Sequence, residues 1–390
     1  MTSDNRPSKR LKVCHVVSAL EVGGMENGVV NLCNGHDRSQ VEPMICCLKR
    51  LGPMAERLNP DVKVVCLGFS EGKELLRPWR VARFLARERP DIVHTHGWGG
   101  GSWDGVLGAR LAGCPVVING EHGLIFAGWH QVVLQRLVAR LCSAVFSVSA
   151  ALQRKVVRVL RIPPSRITVI SNGVDVERFS PRAGLARRPL DTASVKGGCH
   201  CTLVCCIGSL KMEKNQLLVV RAAAELLRSV PGCDLKLLLV GDGPDRPLLE
   251  NYVEREGLKR HVFFMGRRED IAAILAGVDV LVSASKADHE GMSNVILEAM
   301  ASALPVVATR SVGTEELVVD GATGFLVNEG DLAAFTQRLK LLVTDKSKAR
   351  ALGAAARMLV LEKYSLKRMI REYEQEYRRL YARKKPELYR

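Results

Sequence analysis

Short runs of aliphatic and β-branched residues, each followed by an amphipathic stretch, alternate along both halves of the chain. That alternation predicts βα units, hence an α/β protein with mostly parallel sheets covered by helices on both faces. In the first half, strands are expected near 11–17, 43–48, 62–66, 91–95, 115–118, 144–148 and 167–170, with helices between most of them. A second series near 202–207, 235–240, 261–265, 279–282, 305–308 and 325–327 predicts a second domain of the same kind. Between them, residues 181–198 lose periodicity and are rich in Pro, Gly and basic residues, as an exposed linker would be. The expected organisation is therefore two Rossmann-like domains over 11–180 and 199–365, with a helical tail over 366–390. In that tail Tyr373, Tyr377 and Tyr381 recur on one helical face, which is expected to pack on a domain surface rather than bind a ligand.

Length agrees with this division, since 390 residues suffice for two cores of ordinary size. A composition of 47% hydrophobic and 25% charged residues excludes a disordered or fibrous chain. The most apolar stretch, 132–150, is interrupted by Arg136 and Arg140, so no run reaches the roughly 18–20 apolar residues that span a bilayer. The polar start MTSDNRPSKR leads into an apolar run too short and too early for a secretory signal, and a cytoplasmic location is expected. The twelve cysteines, among them Cys46, Cys47, Cys205 and Cys206, fall mostly in apolar runs without CxxC spacing. They read as reduced core residues rather than metal ligands.

The net charge of +16 is unevenly spread. From His122 through Val174 there is no acidic residue, whereas Arg136, Arg140, Arg154, Lys155, Arg158, Arg161 and Arg166 fall in that span. The first domain should thus carry a basic patch, suited to an anionic membrane or a polyprenyl-diphosphate acceptor, or else simply solvated. Nucleic acid is not an expected partner, because aromatics are only 5% of residues and no helix-turn-helix, zinc-finger or RNA-stacking pattern occurs.

Candidate chemistry begins where strands lead into glycine-containing turns, at Gly23-Gly24 and at Gly208. Such turns let backbone amides approach phosphates at a helix start. Neither matches G-x-G-x-x-G or a P-loop, which argues against a dinucleotide oxidoreductase or a P-loop NTPase. The densest constellation is 283–324, where Glu290 lies in a loop and Glu298 inside the following helix, with Gly291, Met292, Ser293 and Asn294 between them. Both carboxylates would then face a ligand lying over the helix start, and a carboxylate can accept ribose hydroxyls at about 1.5–3 kcal/mol per charge-assisted bond. On spacing alone, a helix-proximal acid at Glu290 and a solvated helix residue at Glu298 are the favoured reading. His122 follows a strand-like run and is expected at the sheet edge where ligands of open α/β sheets bind. His94 and His96 end another strand and are expected to shape the same rim, by packing rather than by acceptor contact.

The E-x7-E segment followed by AM-x4-PVVAT resembles the retaining GT-B glycosyltransferases of family 4. So do GGME (23–26), DIVHTHG (91–97), GEHG (120–123), SNGVD (171–175), GSLKMEKN (208–215) and VGDGP (240–244), in family order over about 11–365. GGMENGVVNL and NGEHG resemble most the transferases of bacterial exopolysaccharide assembly. The resemblance implies two Rossmann-like domains facing each other across a cleft. It also implies transfer of a hexose-type sugar, with retention, from a nucleotide diphosphate sugar to a saccharide or polyprenyl-diphosphate-linked acceptor. Glu298 would bind the ribose and Glu290 the donor sugar hydroxyls, with Gly291, Met292, Ser293 and Asn294 near sugar and diphosphate and Gly24 also on the donor. His122 would lie near the reacting carbon. Lys214 matches one half of the family's phosphate clamp, whereas Ser209 stands where Arg is frequent, with Lys211 as a conceivable substitute. Ala303 replaces a frequent Gly and is expected only to alter local packing.

No cofactor and no metal are expected, and no D-x-D pattern occurs. Attack from the leaving-group face is expected, since double displacement needs a carboxylate nucleophile for which Glu26 and Glu121 are the nearest candidates. A nucleotide-sugar epimerase, a phosphorylase and a catalytically silent partner subunit are the alternatives. An epimerase would need no acceptor, a phosphorylase would need inorganic phosphate, and a silent subunit would bind donor without turnover.

Overall fold

The computed structural model describes residues 9–70, 76–97, 101–123, 128–181, 201–287 and 291–388. They form two compact units, one of Met1–Gly173 with Leu366–Arg390 and one of Val174–Ser365. Most of the expected linker, 182–198, lies outside the described residues.

The first unit runs β1 (Leu11–Ala19), α1 (Gly24–Gly35), β2 (Val41–Arg50), β3 (Lys63–Cys66), α2 (Arg77–Glu88), β4 (Ile92–His96) and α3 (Ser102–Leu111). It continues through β5 (Val116–Glu121), α4 (Trp129–Leu141), β6 (Ala144–Ser147), α5 (Ala150–Leu160) and β7 (Ile167–Val169). The sheet is parallel in the order β3-β2-β1-β4-β5-β6-β7. Its central strands are buried on both faces, as in a sheet covered twice, although β4 and β5 also bury polar side chains. Cys14, Val16, Val93 and Val117 pack on Val81, Val106 and Val138 of α2, α3 and α4.

The opposite face is closed by the tail. Leu11, Val13, Ile92, Ile118 and Phe146 share a core with Met369, Tyr373, Tyr377 and Tyr381 of the last helix of the chain, Leu366–Lys384. The tyrosine stripe packs against a domain as expected, and so closely that it is core of the first unit, with Tyr377 fully buried. A helix that far along the chain belongs here because its apolar face is the cover that the first sheet otherwise lacks.

The second unit runs β8 (Thr202–Ile207), α6 (Gln216–Ser229), β9 (Leu235–Val240), α7 (Arg246–Arg255), β10 (Val262–Gly266), α8 (Ile271–Gly277) and β11 (Val280–Ser283). Then come α9 (Asn294–Ala301), β12 (Val306–Thr309), β13 (Gly324–Val327), α10 (Leu332–Thr344) and α11 (Lys346–Lys363); the tail helix is α12. Its parallel sheet has the order β10-β9-β8-β11-β12-β13. In both sheets the order reverses beside the first strand, so each has a switch point, at β1/β4 and at β8/β11, where loops diverge and leave room for a ligand.

Every expected strand is present, with ends displaced by at most three residues. The eleven described cysteines are free thiols, eight of them buried. Among the described residues no helix is long and apolar enough to cross a membrane. Ala303 departs from expectation: its φ is +57°, so its Cβ sits on left-handed backbone, at a cost of about 1–2 kcal/mol that glycine avoids. The effect is on backbone conformation, and not on packing alone.

Candidate functional site

The loops above β8, β9 and β10 are laced together by their backbones. Gly208 N–H donates to Val240 O at 2.9 Å, Leu210 N–H to Asp242 O at 3.1 Å, Asp245 N–H to Leu210 O at 3.0 Å and Gly241 N–H to Gly266 O at 2.8 Å. The approach is close enough that a Cβ on Gly241 would meet Gly208 O at 2.0 Å and one on Gly243 would meet Leu210 O at 2.3 Å. Across the switch point, Lys286 N–H donates to Glu213 O at 2.8 Å, tying the loop after β11 to the one after β8.

On this frame sits Lys214, at the end of a single 3-10 turn, Met212–Lys214. Its Cδ and Cε lie 3.9 Å from where a Gly208 Cβ would be, so the stem runs across the glycine turn. Burial lowers the ammonium's pKa, against the smaller opposing influence of Cys206 and Glu213. A cation held partly out of water in this way is improved by an anionic ligand. Ser209 is exposed, and its carbonyl accepts from Gln216 Nε2 and from Lys211 N–H, each at 2.9 Å. Lys211 is exposed as well.

α9 begins one residue after Ser293, as the sequence predicts. Ser293 is extended at the N-cap and makes no side-chain capping bond. The intrahelical bonds start with Leu297 N–H to Ser293 O at 3.2 Å, so the amides before it point out of the helix start, where the dipole favours anions. Gly291, Met292 and Ser293 are buried, Asn294 is half-buried, and Glu298 is half-buried on the second turn. The structure therefore brings Gly291, Met292, Ser293, Asn294 and Glu298 together around one helix start. Glu290 lies outside the described residues.

In the first unit, Gly24 opens α1, and the Glu26 carboxylate folds back over Gly23, 2.3 Å from where a Cβ would be. Burial raises the Glu26 pKa. Glu121 is buried and accepts from Asn119 Nδ2 at 2.7 Å. It alternates with Gly120 along β5, so it faces away from the histidines described next.

His122 stands just past β5, half-buried, with Nε2 3.1 Å from His96 Nδ1. His96 Nε2 is in turn 2.9 Å from His15 Nδ1. His94 Nδ1 pairs with the Tyr377 hydroxyl at 2.8 Å, and His36 Nδ1 with Glu374 at 3.0 Å. Burial holds these rings neutral, lowering His15 to about 3 and His122 to about 4, with His94 and His96 also well below the usual value. Each imidazole pair needs one donor and one acceptor, so the tautomers of His122, His96 and His15 are coupled. His94 and His96 are buried, and His96 lines the same cavity as His122, as expected for a residue that shapes that rim by packing. His122 lines a small cavity with Gly28, Val29, Asn172, Met369 and Tyr373. His15 and His36 escaped the sequence reading, and Tyr377 entered it only as a packing residue; the signal that could have found His15 is its place one strand over from the H-x-H pair.

Two parallel sheets of like strand order, one carrying an anion-suited helix start above its switch point, define a two-domain Rossmann-like α/β architecture. Residues 22–178 match the family model described as Glycosyltransferase Family 4, and residues 201–345 the one described as Glycosyl transferases group 1. A UDP-Gal:alpha-D-GlcNAc-diphosphoundecaprenol alpha-1,3-galactosyltransferase of Escherichia coli is 28% identical over 357 residues, covering 86% of this chain and 89% of that protein. A GDP-mannose-dependent phosphatidylinositol monomannoside mannosyltransferase of Mycolicibacterium smegmatis is 31% identical over 277 residues, 66% of this chain and 68% of that protein. Among solved structures, Anabaena HepE in complex with UDP and glucose superposes with a TM-score of 0.81 at 20% identity, over 94% of this chain and 99% of that one. The chain belongs to glycosyltransferase family 4 and has the GT-B fold. It is an enzyme, a glycosyltransferase of the hexosyl-transferring kind.

Proposed function

We propose that this enzyme moves a hexose from a nucleoside diphosphate sugar to a saccharide or polyprenyl-diphosphate-linked acceptor, with retention, in exopolysaccharide or cell-surface glycan assembly. The observation that carries the reading is the meeting of Lys214's loop with the loop that leads to α9, through the Lys286 to Glu213 bond. In this scheme the diphosphate lies against Lys214 and the amides at the α9 start, Glu298 takes the ribose and Glu290 the sugar hydroxyls. Charge developing on the leaving diphosphate is offset by these fixed groups, so the transfer step calls for no metal. His122 orients the reacting sugar, and the acceptor hydroxyl attacks from the leaving-group face. Glu121's orientation away from the His122 cavity speaks against it as a nucleophile, and a covalent sugar adduct trapped on Glu26 would overturn front-face attack. The galactosyl and mannosyl relatives, which by name use UDP-Gal and GDP-mannose, support a nucleotide-sugar donor.

The test is a panel of nucleotide sugars in chelator-containing buffer, read by thermal stabilisation and slow donor hydrolysis. One donor at 100 times its dissociation constant should stabilise the wild type by about 2.7 kcal/mol, and Glu298→Ala should lose that response. No response to any donor would end the reading. Binding without turnover would instead favour a silent partner subunit, the alternative that Ser209 at the usual Arg position keeps open.

Peripheral contact with the anionic inner face of the cytoplasmic membrane is part of the proposal. On α4, Trp129, Val133, Leu134 and Leu137 are 73%, 53%, 40% and 44% exposed, beside Arg136 and Arg140 on the same helix. An apolar stripe bordered by cations, inside a stretch without acids, suits a headgroup interface. Vesicles rich in anionic lipid should retain the wild type in low salt, and Trp129→Ser with Leu137→Ser should reduce retention at least about tenfold, each lost aromatic or leucyl contact being worth roughly 1.5–3 kcal/mol. Retention that ignores both lipid charge and these substitutions would remove the membrane from the scheme.

A further inference from the structure

One cluster of chemically capable side chains plays no part in donor binding. β1 and β4 pair in register so that His15 lies directly beside His94, and His96 follows on the same face of β4. One ring nitrogen from each of the three lies within 4.8 Å of the others, and all three residues are buried. His15 Nε2 and His94 Nε2 have no hydrogen-bond partner. Orphaned polar atoms in a buried interior are rare and need a reason.

The surroundings are those of a ligand set. His94 Nδ1 is held by the Tyr377 hydroxyl at 2.8 Å, which orients the ring and leaves Nε2 as its ligating atom. Gly120, the register partner of His96, has no side chain to intrude: a Cβ there would lie 2.9 Å from His94 Nε2, 3.3 Å from His122 Nε2 and 3.4 Å from His96 Nδ1.

We propose that His15, His94 and His96 form a binding site for one borderline transition-metal ion, Zn²⁺ or its neighbours Co²⁺ and Ni²⁺, with His122 one hydrogen bond away through His96. An all-imidazole set selects these ions over Mg²⁺, Ca²⁺ and Mn²⁺, which favour oxygen ligands. Zn–N bonds of about 2.0–2.1 Å require the rings to draw closer together than they stand. The His15 to His96 hydrogen bond is then exchanged for metal ligation, each ring keeping its proton on the nitrogen that does not ligate. The ion is distinct from any metal on the diphosphate, because the donor loops belong to the second unit. Its consequence is control: occupancy engages His96, the hydrogen-bond partner of His122.

The experiment titrates the full chain, stripped with chelator, with Co²⁺, Zn²⁺ and Mg²⁺, reading visible absorption and calorimetry, so it does not depend on transferase activity. Expected are one equivalent of Co²⁺ with tetrahedral-type visible bands, their displacement by Zn²⁺, and no uptake of Mg²⁺. His15→Asn and His94→Asn, checked for folding by circular dichroism, should bind more than tenfold more weakly, while His130→Asn on exposed α4 should bind as the wild type does. No cobalt band in the wild type, or wild-type affinity in both folded Asn variants, overturns the site. Should neither Asn variant fold, Tyr377→Phe decides: about tenfold weaker binding or more, the usual penalty for removing an orienting partner, supports it, and unchanged affinity overturns it.

Discussion

Replacing Lys214 with alanine is expected to lower kcat for sugar transfer by about two to three orders of magnitude, the usual cost of deleting one preorganised group that stabilises a leaving oxyanion. The size follows from the setting. Lys214 is half-buried at the end of its 3-10 turn, with its stem across Gly208 and its loop pinned by the Lys286 to Glu213 bond. It needs little reorganisation when negative charge grows on the diphosphate. That charge is larger in the transition state than in the bound donor, so kcat should fall more than KM rises. Lys214→Arg should restore part of the rate, because it keeps the charge in a different shape. Steady-state kinetics on the donor identified by the nucleotide-sugar panel check this, and a change in kcat below about twofold would remove Lys214 from the leaving-group side.

Acid should unfold the first unit early. His15 is fully buried and its folded-state pKa is lowered to about 3, whereas an unfolded histidine titrates near 6.5. Between those values the unfolded chain binds the extra proton, so stability is complete above pH 6.5 and declines as pH falls through the window. At pH 5 this one ring costs about 2 kcal/mol. His94 and His96 act in the same direction, as does His36, whose lowering by burial is partly offset by Glu374. Against a typical total of about 5–15 kcal/mol, the loss is large. Urea denaturation of chelator-treated protein at pH 7 and pH 5 should show a drop of at least about 2 kcal/mol. Equal stability at the two pH values would mean that the rings are hydrated.

The strands were legible because buried parallel strands are near-continuous apolar runs; 202–207 and 235–240 coincide with β8 and β9. β5 was harder. It ends in Asn119, Gly120 and Glu121, polar or small residues that stay in the strand because Thr95, Ser102 and Glu121 pair with the Asn119 amide. The start of α9 was legible too, since Ser293 precedes a clean helical pattern, and the glutamate spacing pointed at it. Ala303's left-handed backbone was not, because alanine itself carries no sign of φ.

The amino-acid sequence by itself determined two α/β domains, the position of each strand and the residues around the α9 start, because periodicity and turn chemistry are local. Three matters waited for the tertiary structure. Which sheet the tail covers depends on apolar faces more than 200 residues apart finding each other, as Ile118 finds Tyr377. The close approach of Gly241 to Gly208 depends on β8 and β9 lying side by side. The histidine cluster depends on strand order: H-x-H sets His94 and His96 on one face, but only the β1/β4 pairing brings His15 beside them, and only the fold decides that all three are buried.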